Sequence, residues 1–388
     1  MTDSILRGFT LVEISAFVAA PLAGMSLAQM GAEVIRIDQT GGGPDAKRWP
    51  LSSDGISLYW QGLNKGKRSV HLDLRSPEGQ RTAQNLVAQA GMLVTNRLDA
   101  PWLDYDKLRA DRPDLIMLAI SGTHDGQGAV DYTIQARTGL PLLTGFARAD
   151  MPVNQMLPAW DAVCGLLAAS GLLAAERRRR ETGEGCLIRL SLEDCALWML
   201  GNLGMLAEAE IGTDPRRPTG NGVFGAFGSD FGTRDGRRVM IGVLSNRHWQ
   251  ALTKATGTTE GMAHLAMAFG IDLQTDEGRW RARDPIKLLL APWFATRDLS
   301  VIAKELDAQR VLWGPYQTIR ELVQSDPACS EHNPIFVRVD QPGVGAYLTP
   351  GLPLDFGLPR DPATRHSPEQ GIDTDAILGK LRMRLQDG

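Results

Sequence analysis

The residue best placed to do chemistry in this chain is Asp161, which stands immediately before an apolar run from Ala162 to Ala175 made of small and aliphatic side chains. No proline interrupts that run, four arginines close it at 177–180, and Gly183 and Gly185 follow. These are the marks of a helix with a basic last turn and a glycine stop. An aspartate at the head of such a helix meets backbone N–H groups and the positive end of the dipole, both of which favour its charged form. Two readings stand side by side. Asp161 is a plain helix cap, or it is a carboxylate nucleophile that, at a reference pKa of ~3.9, is already anionic and needs positioning rather than a base. A second feature is the glycine-bearing stretch Gly220-Asn-Gly222 with Gly225 and Gly228 nearby, which reads as a set of backbone donors for an oxyanion or as a flexible linker. A third is the basic cluster Lys65, Lys67 and Arg68, which steers an anionic ligand or decorates a solvated loop.

The elements that position these residues follow from periodicity. Residues 9–15, 33–38, 68–74, 91–95 and 114–120 are short β-branched or aliphatic runs, separated by helical patterns such as 22–30 and 77–90. That alternation predicts an α/β fold, a large Rossmann-like domain with a mostly parallel sheet, active residues gathering beyond the carboxyl ends of the strands. The first crossover carries Ser15-Ala-Phe-Val-Ala-Ala-Pro21 in place of G-x-G-x-x-G, so a dinucleotide pyrophosphate has no glycine cradle even though Asp38 ends the second strand as a ribose-binding acid would. Around 215–236 the composition shifts to Gly, Pro, Arg and Phe; a hairpin turning at Asp235-Gly236 and helices near 246–256 and 299–309 then predict a smaller α/β domain. The boundaries read as 1–205 for the large domain, 206–225 for linker and glycine loop, 226–325 for the small domain and 326–388 for a final segment with strands near 335–339 and 345–348.

Composition excludes several classes. With 388 residues, 43% of them hydrophobic, the chain can fill two or three ordinary cores, and its net charge of −4 offers no basic field for nucleic acid. The arginines at 177–180 read as a solvated helix end. Four cysteines (Cys164, Cys186, Cys195, Cys329) form no CxxC pair and share no ligand spacing with the six histidines, which predicts a reducing compartment and no metal. The opening residues do not read as a secretory leader and the 162–175 run is short for a membrane span, so a cytoplasmic enzyme is expected.

From about residue 7 to 380 the chain resembles the family III CoA-transferases, which include formyl-CoA transferase and, as relatives, the α-methylacyl-CoA racemases. The resemblance rests on motifs in a fixed order: Leu11-Val-Glu-Ile-Ser-Ala-Phe-Val-Ala-Ala-Pro21 with Leu27-Ala-Gln-Met-Gly-Ala-Glu-Val-Ile-Arg-Ile-Asp38, then Asn64-Lys-Gly-Lys-Arg-Ser-Val-His-Leu-Asp-Leu-Arg75. The aspartate-led helix follows, with its Thr182-Gly-Glu-Gly185 exit and Ser191-Leu-Glu-Asp-Cys-Ala196, and finally Gly314-Pro-Tyr316 and Gly351-Leu-Pro-Leu-Asp-Phe356. In that family the aspartate heading this helix becomes acylated, a role that falls on Asp161. Phrases such as Gly41-Gly-Gly-Pro-Asp-Ala-Lys-Arg-Trp-Pro50, Leu157-Pro-Ala-Trp-Asp161 and Phe224-Gly-Ala-Phe-Gly-Ser-Asp-Phe231 resemble a branch that moves CoA between the two carboxyl groups of one small, branched, unsaturated diacid.

The resemblance implies an acyl-CoA substrate, no separate cofactor, no metal, and a homodimer whose subunits interlock, the final segment returning to the large domain. It implies substrate and CoA contacts at Phe17 and Val18, at Leu72-Asp73-Leu74-Arg75, at Asn96 and Arg97, and at Tyr132. Gly220 and Gly222 would cover the aspartate, and Arg48 would pair with the free carboxylate. Arg75 and Arg97 are equally ordinary as surface charges. The chain also departs from the wider pattern. Val18 stands where formyl-CoA transferase has glutamine, Gln39 where a CoA-binding arginine is usual, and Val130 where the racemases carry their histidine, His124 lying six residues earlier. Intramolecular CoA transfer is therefore the expected activity, with intermolecular transfer to a free acid as its alternative and a non-catalytic acyl-CoA binder as the reading in which Asp161 is only a cap.

Overall fold

The computed structural model describes residues 4–145, 151–212, 216–359 and 361–387. The chain divides into two compact units: Met1–Thr138 with Gln155–Gly212 and Asp326–Gly388, and Gly139–Asn154 with Thr213–Ser325.

The first unit is built on a six-stranded sheet of β1 (Thr10–Ile14), β2 (Glu33–Gln39), β3 (Arg68–Leu72), β4 (Met92–Thr95), β5 (Ile116–Ser121) and β6 (Cys186–Ser191). Its order is β3-β2-β1-β4-β5-β6 and every pairing is parallel. Five strands fall on the predicted runs. The sixth follows the Thr182-Gly-Glu-Gly185 exit, and its half-buried edge position explains a weaker apolar signal. The order reverses between β1 and β4, the switch point at which open α/β sheets leave a crevice.

Local chemistry sets the crossovers. Helix Pro77–Ala90 starts with Ser76 accepting the Gly79 N–H and with proline in the first turn, and stops at Gly91 in the left-handed region, φ +68°. Its Leu86 and Val87 join Val12, Ile14, Ile37 and Leu93 in one core face, which Ile377 and Leu381 of helix Thr374–Asp387 complete. On the other face, helix Ala19–Gln29 packs along helix Ala159–Thr182. The latter begins at Ala159, before the expected start, so Asp161 lies inside its first turn. Its small residues have a packing reason: a Cβ on Gly165 would stand 2.7 Å from the Ala19 carbonyl oxygen. The four arginines divide. Arg177, Arg178 and Arg180 are exposed as expected, whereas Arg179 is tucked in, donating to the Gly91 carbonyl and pairing with Glu176.

The same unit holds the antiparallel hairpin of β10 (Phe336–Gln341) and β11 (Gly345–Pro350). The C-terminal segment is tied to the sheet where Asp373 accepts from Arg68 Nε at 2.6 Å and from the Ser69 N–H at 3.0 Å.

The second unit is an antiparallel sheet, β7 (Phe227–Gly232), β8 (Arg238–Val243) and β9 (Leu312–Pro315), covered by helices that include Asn246–Thr256, Arg283–Ala295 and Leu299–Gln309. The β7–β8 turn passes through Gly236 at φ +75°. Phe231 and Phe294, stacked at 4.3 Å, centre its core with Ile241, Leu252 and Ile302.

Candidate active site

Beyond the carboxyl end of β1 the chain turns through residues 15–18 into helix Ala19–Gln29, next to the β1–β4 switch. A cavity of about 730 Å³ opens there, lined by Phe17, Val18, Arg48, Asn96, Tyr132 and Asp161 among the expected site residues, together with Tyr59, Asp131 and Gly126-Gln-Gly128. The expected site residues alone bring five separate stretches of sequence into one cleft of the first unit.

Asp161 is not a helix cap. That duty falls to Asp131, at the start of helix Asp131–Arg137, whose carboxylate accepts the Trp160 N–H at 2.7 Å and the Asp161 N–H at 3.0 Å and is braced by Gln135. The Asp161 carboxylate is therefore left to face the cavity, which Ala19 at the neighbouring helix start also lines and where the Ala19 N–H bears on the carboxylate. Burial pushes its pKa up, the nearby Asp131 charge adds to the rise, and Arg48 and the Ala19 N–H oppose them, leaving it at about 6. Such a group is anionic at neutral pH yet poorly solvated, which suits a carboxylate nucleophile.

Arg48 is the one cation among the described residues lining this cavity. Its guanidinium lies 4.8 Å from the Tyr59 ring centroid and 5.5 Å from that of Phe17. The two aromatic faces hold it without neutralising it. Phe17 itself has φ +72°, a left-handed conformation that costs a bulky residue about 1–3 kcal/mol. Asn96 grips the residue before it, accepting the Ala16 N–H at 3.1 Å and donating to the Ala16 carbonyl at 2.9 Å. Tyr132 donates its hydroxyl hydrogen to the Met156 carbonyl at 3.3 Å.

Other expected residues lie elsewhere. Leu72 ends β3, and Asp73, Leu74 and Arg75 follow it at the far edge of the sheet, and none of them lines the cavity; Asp73 accepts from Gln39 at 3.0 Å, and Gln39 in turn accepts the Leu74 N–H at 2.9 Å. Arg75 is exposed, and Arg97 is exposed and paired with Asp99 at 3.4 Å. Gly220 and Gly222 belong to the second unit, where their N–H groups donate to Gly145 at 2.8 Å and Thr219 at 3.0 Å.

The basic cluster is neither a steering patch nor a solvated loop. Lys67 is buried against Glu13 at 2.8 Å, with burial lowering its pKa to about 8 against the pull of Glu13. Lys65 donates to the Pro350 carbonyl at 2.8 Å and is also lowered to about 8, first by burial and then by Arg365. Arg68 is spent on Asp373. Asp38 binds no ribose: Arg36 holds it through Nε at 2.8 Å and a second nitrogen at 3.0 Å. His124 is exposed, 3.5 Å from Glu193, while Val130 lines the cavity.

Sequence reasoning passed over Tyr59, Asp131 and Asp45. Tyr59 sits in a short helix, Leu58–Leu63, whose only sequence mark is its Ser57 cap. Asp131 lies in the segment read for a missing histidine, and its value depends on a contact 30 residues away that no spacing reveals.

A six-stranded parallel sheet with a reversal at β1, a half-buried aspartate on a helix packed against it and a cleft lined by one cation among the described residues define an α/β scaffold that presents a carboxylate to a ligand cavity. The model of CoA-transferase family III matches residues 6–374, and the chain belongs to that family. Among relatives, the 2-methylfumaryl-CoA isomerase of Chloroflexus aurantiacus is 49% identical over 380 residues, spanning 96% of this chain and 93% of the relative. Succinyl-CoA–D-citramalate CoA-transferase of the same organism is 28% identical over 82% of this chain and 79% of its own length. A CaiB/BaiF family protein from Brucella suis superposes with a TM-score of 0.79 at 25% identity, covering 98% of this chain and all of that one.

Proposed function

We propose that this protein moves CoA between the two carboxyl groups of one small diacid, converting 2-methylfumaryl-CoA (mesaconyl-CoA) into 3-methylfumaryl-CoA, with Asp161 as the covalent nucleophile. The reading rests chiefly on the 49% identity to an isomerase along nearly the whole chain, against 28% to an intermolecular transferase. The Asp161 carboxylate attacks the thioester carbonyl, the carbon–sulfur bond breaks, and an aspartyl-acyl anhydride and CoA thiolate result. The thiolate then attacks the aspartyl carbonyl, giving an aspartyl-CoA thioester and the free diacid. The diacid's other carboxylate attacks that thioester and releases the thiolate. Attack of the thiolate on the new acyl carbonyl completes the product and restores Asp161. The Ala19 N–H serves the two steps whose tetrahedral centre is the aspartyl carbon, attack of the thiolate on the anhydride and attack of the diacid on the aspartyl-CoA thioester, where charge develops on the aspartyl oxygen.

Arg48 holds the carboxylate not in reaction, which keeps the released diacid from diffusing away and its effective concentration high, on the scale of ~10⁵ M or more. Phe17, Val18 and Tyr59 shape the acyl end of the cleft; Asn96 and Tyr132 border the path for CoA, with Leu72–Arg75 and Arg97 further out toward its phosphates. CoA arrives as part of the substrate, so no other cofactor is needed. The working form is a cytoplasmic homodimer, for which the exposed Leu197, Trp198 and Leu206 provide apolar surface to bury.

The test is mesaconyl-CoA labelled with ¹³C in one carboxyl carbon, incubated with the protein and analysed by mass spectrometry and NMR, with unlabelled free mesaconate present. Isomerisation without incorporation of the free acid is expected, and Asp161→Asn should lower turnover by about 10³-fold or more. Conversion only when a free carboxylate is supplied, with its carbon entering the product, would replace this reading with intermolecular transfer.

A further inference from the structure

Beneath the site lies a cluster of charges that the reaction does not use. Arg36 on β2 is fully buried and faces Glu13 of β1 across the sheet register. It binds Asp38, reaches Glu13 at 3.4 Å, and clasps both carboxylate oxygens of Asp45 at 3.0 and 3.1 Å. The cluster does not end in itself. Arg36 also donates to the Ser15 carbonyl at 3.3 Å, and Asp45 accepts the Phe17 N–H at 3.0 Å. With Asn96 on both polar groups of Ala16, three consecutive residues of the β1 turn are held by side chains from β2 and from the segments that follow β2 and β4. What this grip maintains is unfavourable by itself: an aromatic residue in the left-handed region. Two residues on comes Ala19, which lines the same cavity as Asp161 and whose N–H bears on its carboxylate.

We infer that Asp45, oriented by Arg36, is a positioning residue that locks the Phe17 turn and so aims the Ala19 N–H at the Asp161 carboxylate. Asp45 does not line the cavity and so does not act by touching substrate. Without it, Phe17 relaxes toward a negative φ, the helix start turns, and Asp161 loses its backbone donor. The inference deepens the function proposed above and rests on Asp161 as the reacting group.

The groups that face Asp161 are Asp131, Arg48, Tyr59 and the Cys164 thiol, besides the Ala19 N–H. This makes the direction of change diagnostic. Loss of the donor removes a bond to the charged form and raises the Asp161 midpoint; loss of the Asp45 negative charge alone would lower it or leave it in place.

The experiment follows Asp161 by ¹³C NMR of aspartate-labelled protein, assigned with Asp161→Asn, alongside the pH dependence of kcat with mesaconyl-CoA. In Asp45→Asn, whose amide turns its own NH2 group toward the Phe17 N–H when its oxygen stays on Arg36, the titration and the acid limb of kcat should both move up from about 6 by about one pH unit. Asn96→Ala, which loosens the same turn without disturbing a buried charge, should move them in the same direction, and it carries the test alone if Asp45→Asn does not fold. An unmoved or lowered midpoint in the folded variants, or a rise in KM with the acid limb in place, would overturn the inference. A wild type that shows the Asp161 titration but does not turn over mesaconyl-CoA would instead fault the functional reading, leaving the positioning role to be judged by NMR.

Discussion

Two groups of buried carboxylates lie within the first unit and have opposite fates. Under β1 and β2, Glu13, Asp38 and Asp45 share Arg36 and Lys67, each carboxylate in direct contact with a cation. At the cleft, Asp131 spends one oxygen on the Trp160 and Asp161 N–H groups and the other on Gln135, and Asp161 has the Ala19 N–H and the field of a single arginine held between aromatic rings. The well-paired group is structural: it fixes a turn and lies buried in ion pairs away from the cleft. The under-paired one is where the pKa rises and where a reaction can begin. What separates the two is the supply of partners, since the residue types are the same.

The largest effect should come from starving the paired group. Arg36→Met leaves three buried carboxylates with only Lys67, and breaking such a set by removing one partner costs about 3–5 kcal/mol. Urea denaturation at pH 7.5 should show that loss; a variant as stable as wild type would mean that the cluster is no more than tolerated.

Relieving the under-paired group should do the reverse. The folded value of Asp161, about 6, lies above the unfolded ~3.9, so between these the folded chain holds the extra proton and stability falls as pH rises. The cost is fully present above about 6 and absent below about 4. Asp161→Asn should therefore abolish turnover and yet raise stability at pH 7.5 by about 1–3 kcal/mol, the gain vanishing near pH 4. Denaturant midpoints at the two pH values measure it. Equal stability at pH 7.5 would mean that Asp161 is as well compensated as Asp45, and the contrast would fail.

The same contrast marks what was legible in the sequence. The alternation of strands and helices, the glycine stops and the apolar helix behind Asp161 are local patterns, and they locate most of the parallel sheet and the helix that bears the candidate nucleophile. Charge partners are not local. Lys65, Lys67 and Arg68 read as a basic patch because their partners are remote: the Pro350 carbonyl, Glu13 and Asp373 are 285, 54 and 305 residues away. Asp161 read as a cap because nothing nearby announced Asp131. Arg48 was legible only through the phrase it belongs to; its aromatic brackets, Phe17 and Tyr59, required the fold.

The smallest predicted effect probes the cleft from inside. Asp131 plays two parts there, a hydrogen-bond acceptor for the Trp160 and Asp161 N–H groups and a negative charge beside Asp161, and Asp131→Asn separates them. The amide oxygen can still accept both N–H groups once Gln135 turns its own amide, so the helix start is preserved while the charge is gone. Removing a like charge lowers the Asp161 pKa, by up to about one unit. The acid limb of kcat should move below about 6, and the rate at pH 5 relative to pH 7.5 should rise. That is the opposite of the shift expected for Asp45→Asn, although both variants delete one aspartate charge. Asp131→Ala, which loses the acceptor as well, should in addition cost about 0.5–2 kcal/mol of stability. If Asp131→Asn leaves the acid limb where it is, Asp131 matters only as a cap, and the raised pKa of Asp161 owes everything to burial.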